Sequence, residues 1–245
     1  MERILKGIVL RFTHFGETSA ILNVLTKDGG ISSVLLHGVK KRGGNYGTGA
    51  VVEWHISKKY FEKGGLAKTS KYDILDNYSF GGDVEKISIR DCAIELILQV
   101  IPQDTGGAKE LFVLLEKYFK YLEKSDGDMF FAFWLFCVRL AQFLGYKINL
   151  ETCVNCGNAL KTCFLSQEKG GFLCENCYSK PNWREEILQI LSKGSADICE
   201  EMQKFSRKEK IFVTQRLISY IQYHCGKKEK PLNSFNFFCD FANFS

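Results

Sequence analysis

The chain has 245 residues, 45% hydrophobic and 25% charged, with a formal charge of +5. That length supports one large domain or two modest ones with a real core, and the ordinary charged fraction speaks against disorder and coiled coil. The longest apolar run, residues 129–138, is ten residues, against the roughly 20 a membrane span needs.

The opening segment MERILKGIVLRF has no long apolar stretch and no small-residue cleavage site. A cytoplasmic location is therefore expected. In a reducing compartment the ten cysteines point to metal or burial rather than disulfides. The charge is uneven. Residues 1–80 carry 12 Lys+Arg against 7 Asp+Glu, residues 81–150 carry 8 against 10, and residues 151–245 carry 13 against 11. A surface this modestly basic fits either ordinary solubility or attraction to a polyanion.

Of the 22 glycines, 13 lie in residues 1–82, scattered between short apolar runs. This is the texture of tight turns in a β domain. Ile8, Leu10 and Phe12 alternate with Val9 and Arg11, and Ala20, Leu22 and Val24 alternate with Ile21, Asn23 and Leu25. Residues 31–39, 51–61 and 68–78 give a third, fourth and fifth run, and Lys27-Asp28-Gly29-Gly30 reads as a hairpin turn. Five short strands in about 80 residues predict a small barrel of the OB type, with an SH3-like barrel the nearest rival.

Helices follow. Asp83 can cap a helix to about Ile101, which Pro102 ends. A second runs over 108–124 with Leu111, Leu115, Tyr118 and Leu122 on one face. A third, over 128–144 with Gly145 as its C-terminal cap, is apolar nearly all round and is expected to be central to a bundle. Sixteen of the 20 phenylalanines lie beyond residue 80, as a helical core there requires. Residues 146–183 break the pattern. Helices resume near 184–192 and 207–225, and 227–245 reads as a basic turn and a Phe-rich tail. The expected fold is α+β and multidomain. A five-stranded OB-fold barrel over 1–80 precedes a mainly helical domain over 81–245 with an inserted four-cysteine zinc module at about 146–183.

The sharpest motif is Cys153-Val-Asn-Cys156-Gly157 followed by Cys174-Glu-Asn-Cys177, with seventeen residues between Cys156 and Cys174. Each pair brings two sulfurs to one face of a tight turn, and two such turns complete a tetrahedral S₄ shell suited to zinc. A redox Cys-x-x-Cys is disfavoured by there being two pairs, and iron–sulfur is not separated from zinc by spacing. A site closed by four protein ligands has no open position for water, so a structural role is expected. Cys163 is an alternative ligand or a strand residue. Cys92, Cys137, Cys199 and Cys225 fall in helical segments as core or semi-buried thiols, and Cys239 lies in the tail.

Catalytic motifs are missing. His14, His37, His55 and His224 sit in no nucleophile or metalloprotease pattern, and Leu173 stands where a zinc deaminase has proline. The glycines at 43, 44, 47 and 49 do not form a phosphate loop. The expectation is a protein that is not an enzyme. By contrast, Lys40-Lys41-Arg42 beside a glycine-rich loop carrying Tyr46 suits single-stranded nucleic acid, the cations for phosphates and the ring for an unpaired base. On pattern alone a solvated hairpin is the preferred reading; on the expected OB fold, which often carries single strands, the two have equal standing. Arg11, Lys58 and Lys59 join the candidate DNA-binding residues, and Lys63, Lys68 and Lys71 add charge to the same part of the chain.

Three sets of residues carry a family resemblance. The first is Gly7-Ile8-Val9-Leu10, Gly16-Glu17-Thr18-Ser19, Leu25-Thr26 and Gly38-Val39-Lys40-Lys41. The second is Phe143-Leu144-Gly145-Tyr146 leading into Cys153-x-x-Cys156-Gly157 and Gly170-Gly171-Phe172-x-Cys174-x-x-Cys177. The third is Tyr223-His224-Cys225-Gly226 with Lys230-Pro231-Leu232-Asn233-Ser234. In order and spacing the chain resembles the RecO family of bacterial recombination mediators and DNA repair proteins. The resemblance implies an N-terminal OB fold, a helical domain and a zinc module. It implies binding of single- and double-strand DNA, annealing of complementary strands, and loading of RecA onto strands coated by single-strand binding protein (SSB) in the RecF pathway. The implied partners are DNA, RecR, the SSB C-terminal tail and, indirectly, RecA, at the nucleoid. The implied zinc ligands are Cys153, Cys156, Cys174 and Cys177, and the implied basic stretch is Lys40, Lys41 and Arg42. The usual Lys-Ser near the C-terminus reads Asn233-Ser234 here. Arg139, Lys147, Arg207, Lys208 and Arg216 are candidates for partner binding by charge beside apolar surface. The rival reading is a zinc-stabilised protein-interaction adaptor that does not bind DNA.

Overall fold

The computed structural model describes residues 2–27, 30–39, 47–57, 67–69, 71–102, 109–124, 127–160, 163–178 and 202–241. The chain packs as two compact units, Met1–Glu123 and Lys124–Ser245. The first unit opens with strands β1 (Glu2–Phe15), β2 (Ser19–Thr26), β3 (Ile31–Leu36), β4 (Val51–Ser57), β5 (Ala67–Thr69) and β6 (Tyr72–Asp76). They form one sheet in the order β5-β3-β2-β1-β4-β6. All neighbours are antiparallel except β3 and β5, which run parallel.

The expected fifth strand over 68–78 is therefore two short strands, and the count is six rather than five. The reason is pairing. β5 pairs with β3 and β6 with β4, and one straight strand could not serve both edges along its length. Because β5 and β6 are close in sequence yet stand at opposite edges, the sheet curls into a partly open barrel. His37 N–H donates to Thr69 O at 3.0 Å and His55 N–H donates to Lys71 O at 3.0 Å, so both edges are tied to the same short stretch.

Alternation fills the barrel. Leu5, Val9, Ala20, Leu22, Val24, Val34, Leu36, Val52, Trp54 and Tyr72 form its core. A bulge between Val9 and Arg11 breaks the period in β1, which is why Ile8, Val9 and Leu10 are all buried. A β-carbon on Gly7 would run into Val24 Cγ1 and lie 2.9 Å from Leu25 O, so glycine is what lets β1 and β2 approach here.

Two helices complete the first unit. Helix α1 (Val84–Val100) starts at Asp83, whose carboxylate accepts the Lys86 N–H, and ends at Ile101. Helix α2 (Lys109–Lys124) buries Leu111, Leu115, Tyr118 and Leu122, as its periodicity predicts, together with Phe112 and Phe119. Lys6 of β1 pairs with Glu116 at 3.1 Å. Although burial opposes ionisation of Glu116, Lys6 and Lys120 outweigh it and hold this carboxyl below its ordinary range. At the exit from the barrel Tyr78 packs edge-on against Phe119, ring centroids 5.2 Å apart.

The second unit is built on α3 (Met129–Phe143) and α4 (Arg207–His224), with β7 (Cys163–Ser166), β8 (Gly171–Cys174) and α5 (Asn233–Phe241). Helix α3 buries Phe130, Phe133, Trp134, Phe136, Cys137 and Leu140, which agrees with its expected central place. Trp134 Nε1 donates to Thr214 Oγ1 of α4 at 2.7 Å. The Phe-rich tail is a helix over much of its length. Phe235 and Phe238 are buried, with Phe238 edge-on to Phe130 at 5.1 Å. The expected helix near 184–192 lies outside the described residues. None of the described helices is long and apolar enough to cross a membrane.

Candidate metal centre and nucleic-acid face

Two tight turns build the cysteine centre. The first follows Asn149, whose carboxamide oxygen accepts the N–H groups of Glu151 and Thr152. The Gly157 N–H then donates to Cys153 O at 2.8 Å, with Gly157 at φ +75°, the left-handed position expected after the first pair. The second turn repeats the pattern: the Tyr178 N–H donates to Cys174 O at 3.1 Å, alongside the Cys177 N–H at 3.0 Å. Strand β8 delivers Cys174, and the Val154 N–H donates to Phe172 O at 2.8 Å, locking the first turn against it. Gly171 permits that approach, since a β-carbon there would strike Val154.

The result is a cluster. The sulfurs of Cys153, Cys156, Cys174 and Cys177 all lie within 4.8 Å of one another, and Cys156 and Cys174 are 3.6 Å apart. A tetrahedron of sulfurs about 2.3 Å from a central ion has edges of about 3.8 Å. The donor set fits a metal ion, and the surroundings fit thiolates. Burial opposes ionisation of Cys153, yet N–H groups of Cys174, Cys156 and Asn155 outweigh it and bring its thiol down to about 6. Asn155 Nδ2 donates to Cys177 Sγ at 3.4 Å. Cys156 behaves oppositely. The Asn158 N–H favours its thiolate, but the neighbouring sulfurs push it up to about 12. Four sulfurs this close cannot all hold negative charge unless a cation sits among them.

The lobe is held to α4 by Arg216. Its Nη2 donates to Leu165 O at 2.7 Å, and its guanidinium lies 5.2 Å from the Phe164 ring, which stacks on Tyr178 at 3.8 Å. Cys163 stands in β7 opposite Cys174. Cys92 and Cys137 are buried helical thiols, and Cys225 and Cys239 are half-buried; Cys199 lies outside the described residues.

On the barrel, Lys40, Lys41, Arg42, Tyr46, Lys58 and Lys59 lie outside the described residues. Arg11, Lys68 and Lys71 are exposed on the described strands or beside them. The residues flanking 40–46 are firmly placed. The Val39 N–H donates to Thr18 O and the Gly49 N–H to Val9 O, each at 2.8 Å.

Sequence reasoning missed Arg90. It is 6% exposed, its Nη1 donates to Tyr78 O at 2.9 Å, and it pairs with Asp91 at 2.7 Å. Burial pushes the Asp91 carboxyl up in spite of that partner. A β-carbon on Gly49 would lie 2.9 Å from the Arg90 side chain, so Arg90 packs directly under the return of the basic loop. A lone arginine on the apolar face of α1, next to Ile89 and Ala93, was the available signal.

Of the partner-binding candidates, Arg139, Lys147 and Lys208 are exposed. Arg139 Nη1 reaches Gln142 Oε1 at 3.3 Å. Arg207 faces inward. Its Nη2 donates to Phe238 O at 3.2 Å, and its guanidinium lies 5.4 Å from both Phe130 and Phe238.

A curled strand barrel followed by helices and a four-cysteine lobe defines a class in which a small β domain is joined to a helical one whose four clustered cysteines could hold a metal ion. Two family models cover nearly all of it. The one described as Recombination protein O N terminal matches residues 1–78, and the one described as Recombination protein O C terminal matches residues 81–233. The chain belongs to the recombination protein O family. Among its relatives are proteins named DNA repair protein RecO. One, from an Exiguobacterium species, is 24% identical over 91% of each chain. One from Bacillus pumilus is 28% identical over 73% of this chain and 70% of its own. One from Acetivibrio thermocellus is 22% identical over 77% of this chain and 75% of its own.

Proposed function

We propose that this RecO-family DNA repair protein acts in the bacterial cytoplasm, at the nucleoid, as a recombination mediator. It binds single- and double-strand DNA, anneals complementary strands, and with RecR helps load RecA onto SSB-coated single strands, engaging the SSB tail. It works by binding rather than by catalysis. The observation that carries the reading is family membership along nearly the whole chain, with a curled barrel of a type that often holds single strands. The cysteine cluster holds zinc as a structural ion, its ligands being Cys153, Cys156, Cys174 and Cys177.

DNA contacts fall to Lys40, Lys41, Arg42, Lys58, Lys59 and Arg11, with Tyr46 stacking on an unpaired base. Anisotropy of a labelled single-strand oligonucleotide, titrated with salt, tests this. Lys40→Glu/Lys41→Glu/Arg42→Glu is expected to weaken binding and make the log–log salt slope shallower by about 2, at roughly 0.7 per lost phosphate contact. Wild-type affinity and slope in that variant would remove those residues from the DNA face. Competition by an SSB tail peptide in the same titration reports the partner site.

A further inference from the structure

The second unit carries an aromatic group that the metal centre does not use. Tyr146 and Tyr223 are 39% and 47% exposed, and both rings lie against His224. Tyr146 stacks on His224 at 4.9 Å with planes 26° apart, and Tyr223 meets it edge-on at 5.4 Å. The buried Tyr220 backs the imidazole at 4.4 Å, and its hydroxyl donates to Tyr146 O at 3.4 Å. Tyr146 and Tyr223 come from segments 77 residues apart in sequence. Tyr146 and the imidazole are already stacked, so little side-chain freedom is lost when something binds them.

Cations flank the group in sequence. Lys147 follows Tyr146, and Lys227, Lys228 and Lys230 follow the end of α4, all exposed. Glu229, the acid among them, is engaged by Gln167 Nε2 and Ser219 Oγ, each at 3.4 Å. Exposed rings offer π-faces to bases, and lysines on both flanking segments offer charge to phosphates. A duplex hides its base faces, so the fit is to an unpaired strand.

We infer that Tyr146, His224 and Tyr223, with Lys147, Lys227 and Lys228, form a single-stranded nucleic-acid contact on the second unit, additional to the cations of residues 1–80. The inference rests on the reading that the chain binds single strands. Its consequence is that one chain has a point of attachment on each unit, as a protein that brings two strands together requires.

Photocrosslinking of the full-length protein to an oligonucleotide carrying 5-iodouracil, with peptide mapping, is the test. Adducts are expected at Tyr146 or Tyr223 and are expected to persist in Lys40→Glu/Lys41→Glu/Arg42→Glu. Tyr146→Ala/Tyr223→Ala is expected to weaken oligonucleotide binding on the order of tenfold, and Tyr146→Phe/Tyr223→Phe to restore it. A purely structural role for the rings predicts no adduct there. Adducts confined to residues 1–80 overturn this site while leaving DNA binding standing; no binding and no adduct anywhere overturns both.

Discussion

His224 holds its imidazole among Tyr146, Tyr220 and Tyr223 at the end of α4. Burial holds its pKa below the ordinary 6.5, against a Gln167 backbone carbonyl that favours the proton. The unfolded chain takes up this proton near pH 6.5, the folded chain only at lower pH. The stability it contributes is therefore complete above that pH and is lost as pH falls towards the folded value. Urea midpoints measured between about pH 7.5 and pH 5 should decline, and His224→Gln should flatten part of the decline. A decline identical in both proteins would show that other groups cause it. The position of His224 at a helix end is legible in the sequence; its three ring neighbours are not, because Tyr146 belongs to a distant segment. Arg90 is similar. Its place on α1 is plain, but only the fold puts Tyr78 O and Gly49 around it.

Helix boundaries were the most legible elements, because caps are local chemistry. Asp83 and Asp128 both accept the N–H three residues on, at 3.1 Å. Asp128 has a second task, since its other carboxylate oxygen pairs with Lys210 Nζ of α4 at 2.6 Å with both side chains largely covered. Asp128→Ala removes the cap, worth about 1 kcal/mol, and leaves a mostly covered ammonium without its partner, worth about 1–2 kcal/mol more. Asp128→Asn keeps the cap and loses only the charge. Chemical denaturation should rank wild type above Asn above Ala; a wild type no more stable than the Asn variant would deny the ion pair any part, and equal stability of the two variants would deny the cap any part. Helix α5 was the element that sequence pattern left as tail. At nine residues it is too short to stand on propensity, and its reason to form is the packing of Phe238 on Phe130 and under Arg207. The split of the last barrel strand into β5 and β6 was hidden for a related reason, since partner exchange is a property of two edges and not of one segment.

Charge changes meaning once the units are known. Residues 1–80 are +5, but α1 and α2 share their unit, and residues 81–123 carry 5 Lys+Arg against 8 Asp+Glu. Residues 124–245 carry 16 against 13, a net +3, which four thiolates and one divalent ion would lower to +1. Positive charge is thus concentrated in residues 1–80 of one unit and present in modest excess on the other. Metal removal should act unequally. Elemental analysis is expected to find one zinc per chain. Chelation should make the four ligand cysteines reactive to alkylation and strip hydrogen-exchange protection from β7 and β8, while β1 to β4 keep theirs. A metal-free protein whose four thiols react freely while β7 and β8 stay protected would refute the site.

The sequence by itself determined the order of strands then helices, the Asp83 cap, the inward residues of β2 and the four cysteines that cluster. Each of these is written in spacing over a few residues, where backbone geometry leaves few alternatives. Tertiary structure alone decided how the barrel closes, that α1 and α2 pack with it, that the tail folds back as a helix, and that Tyr146 meets His224. Those outcomes depend on which distant surfaces bury each other, and periodicity along a single segment carries no information about its partner.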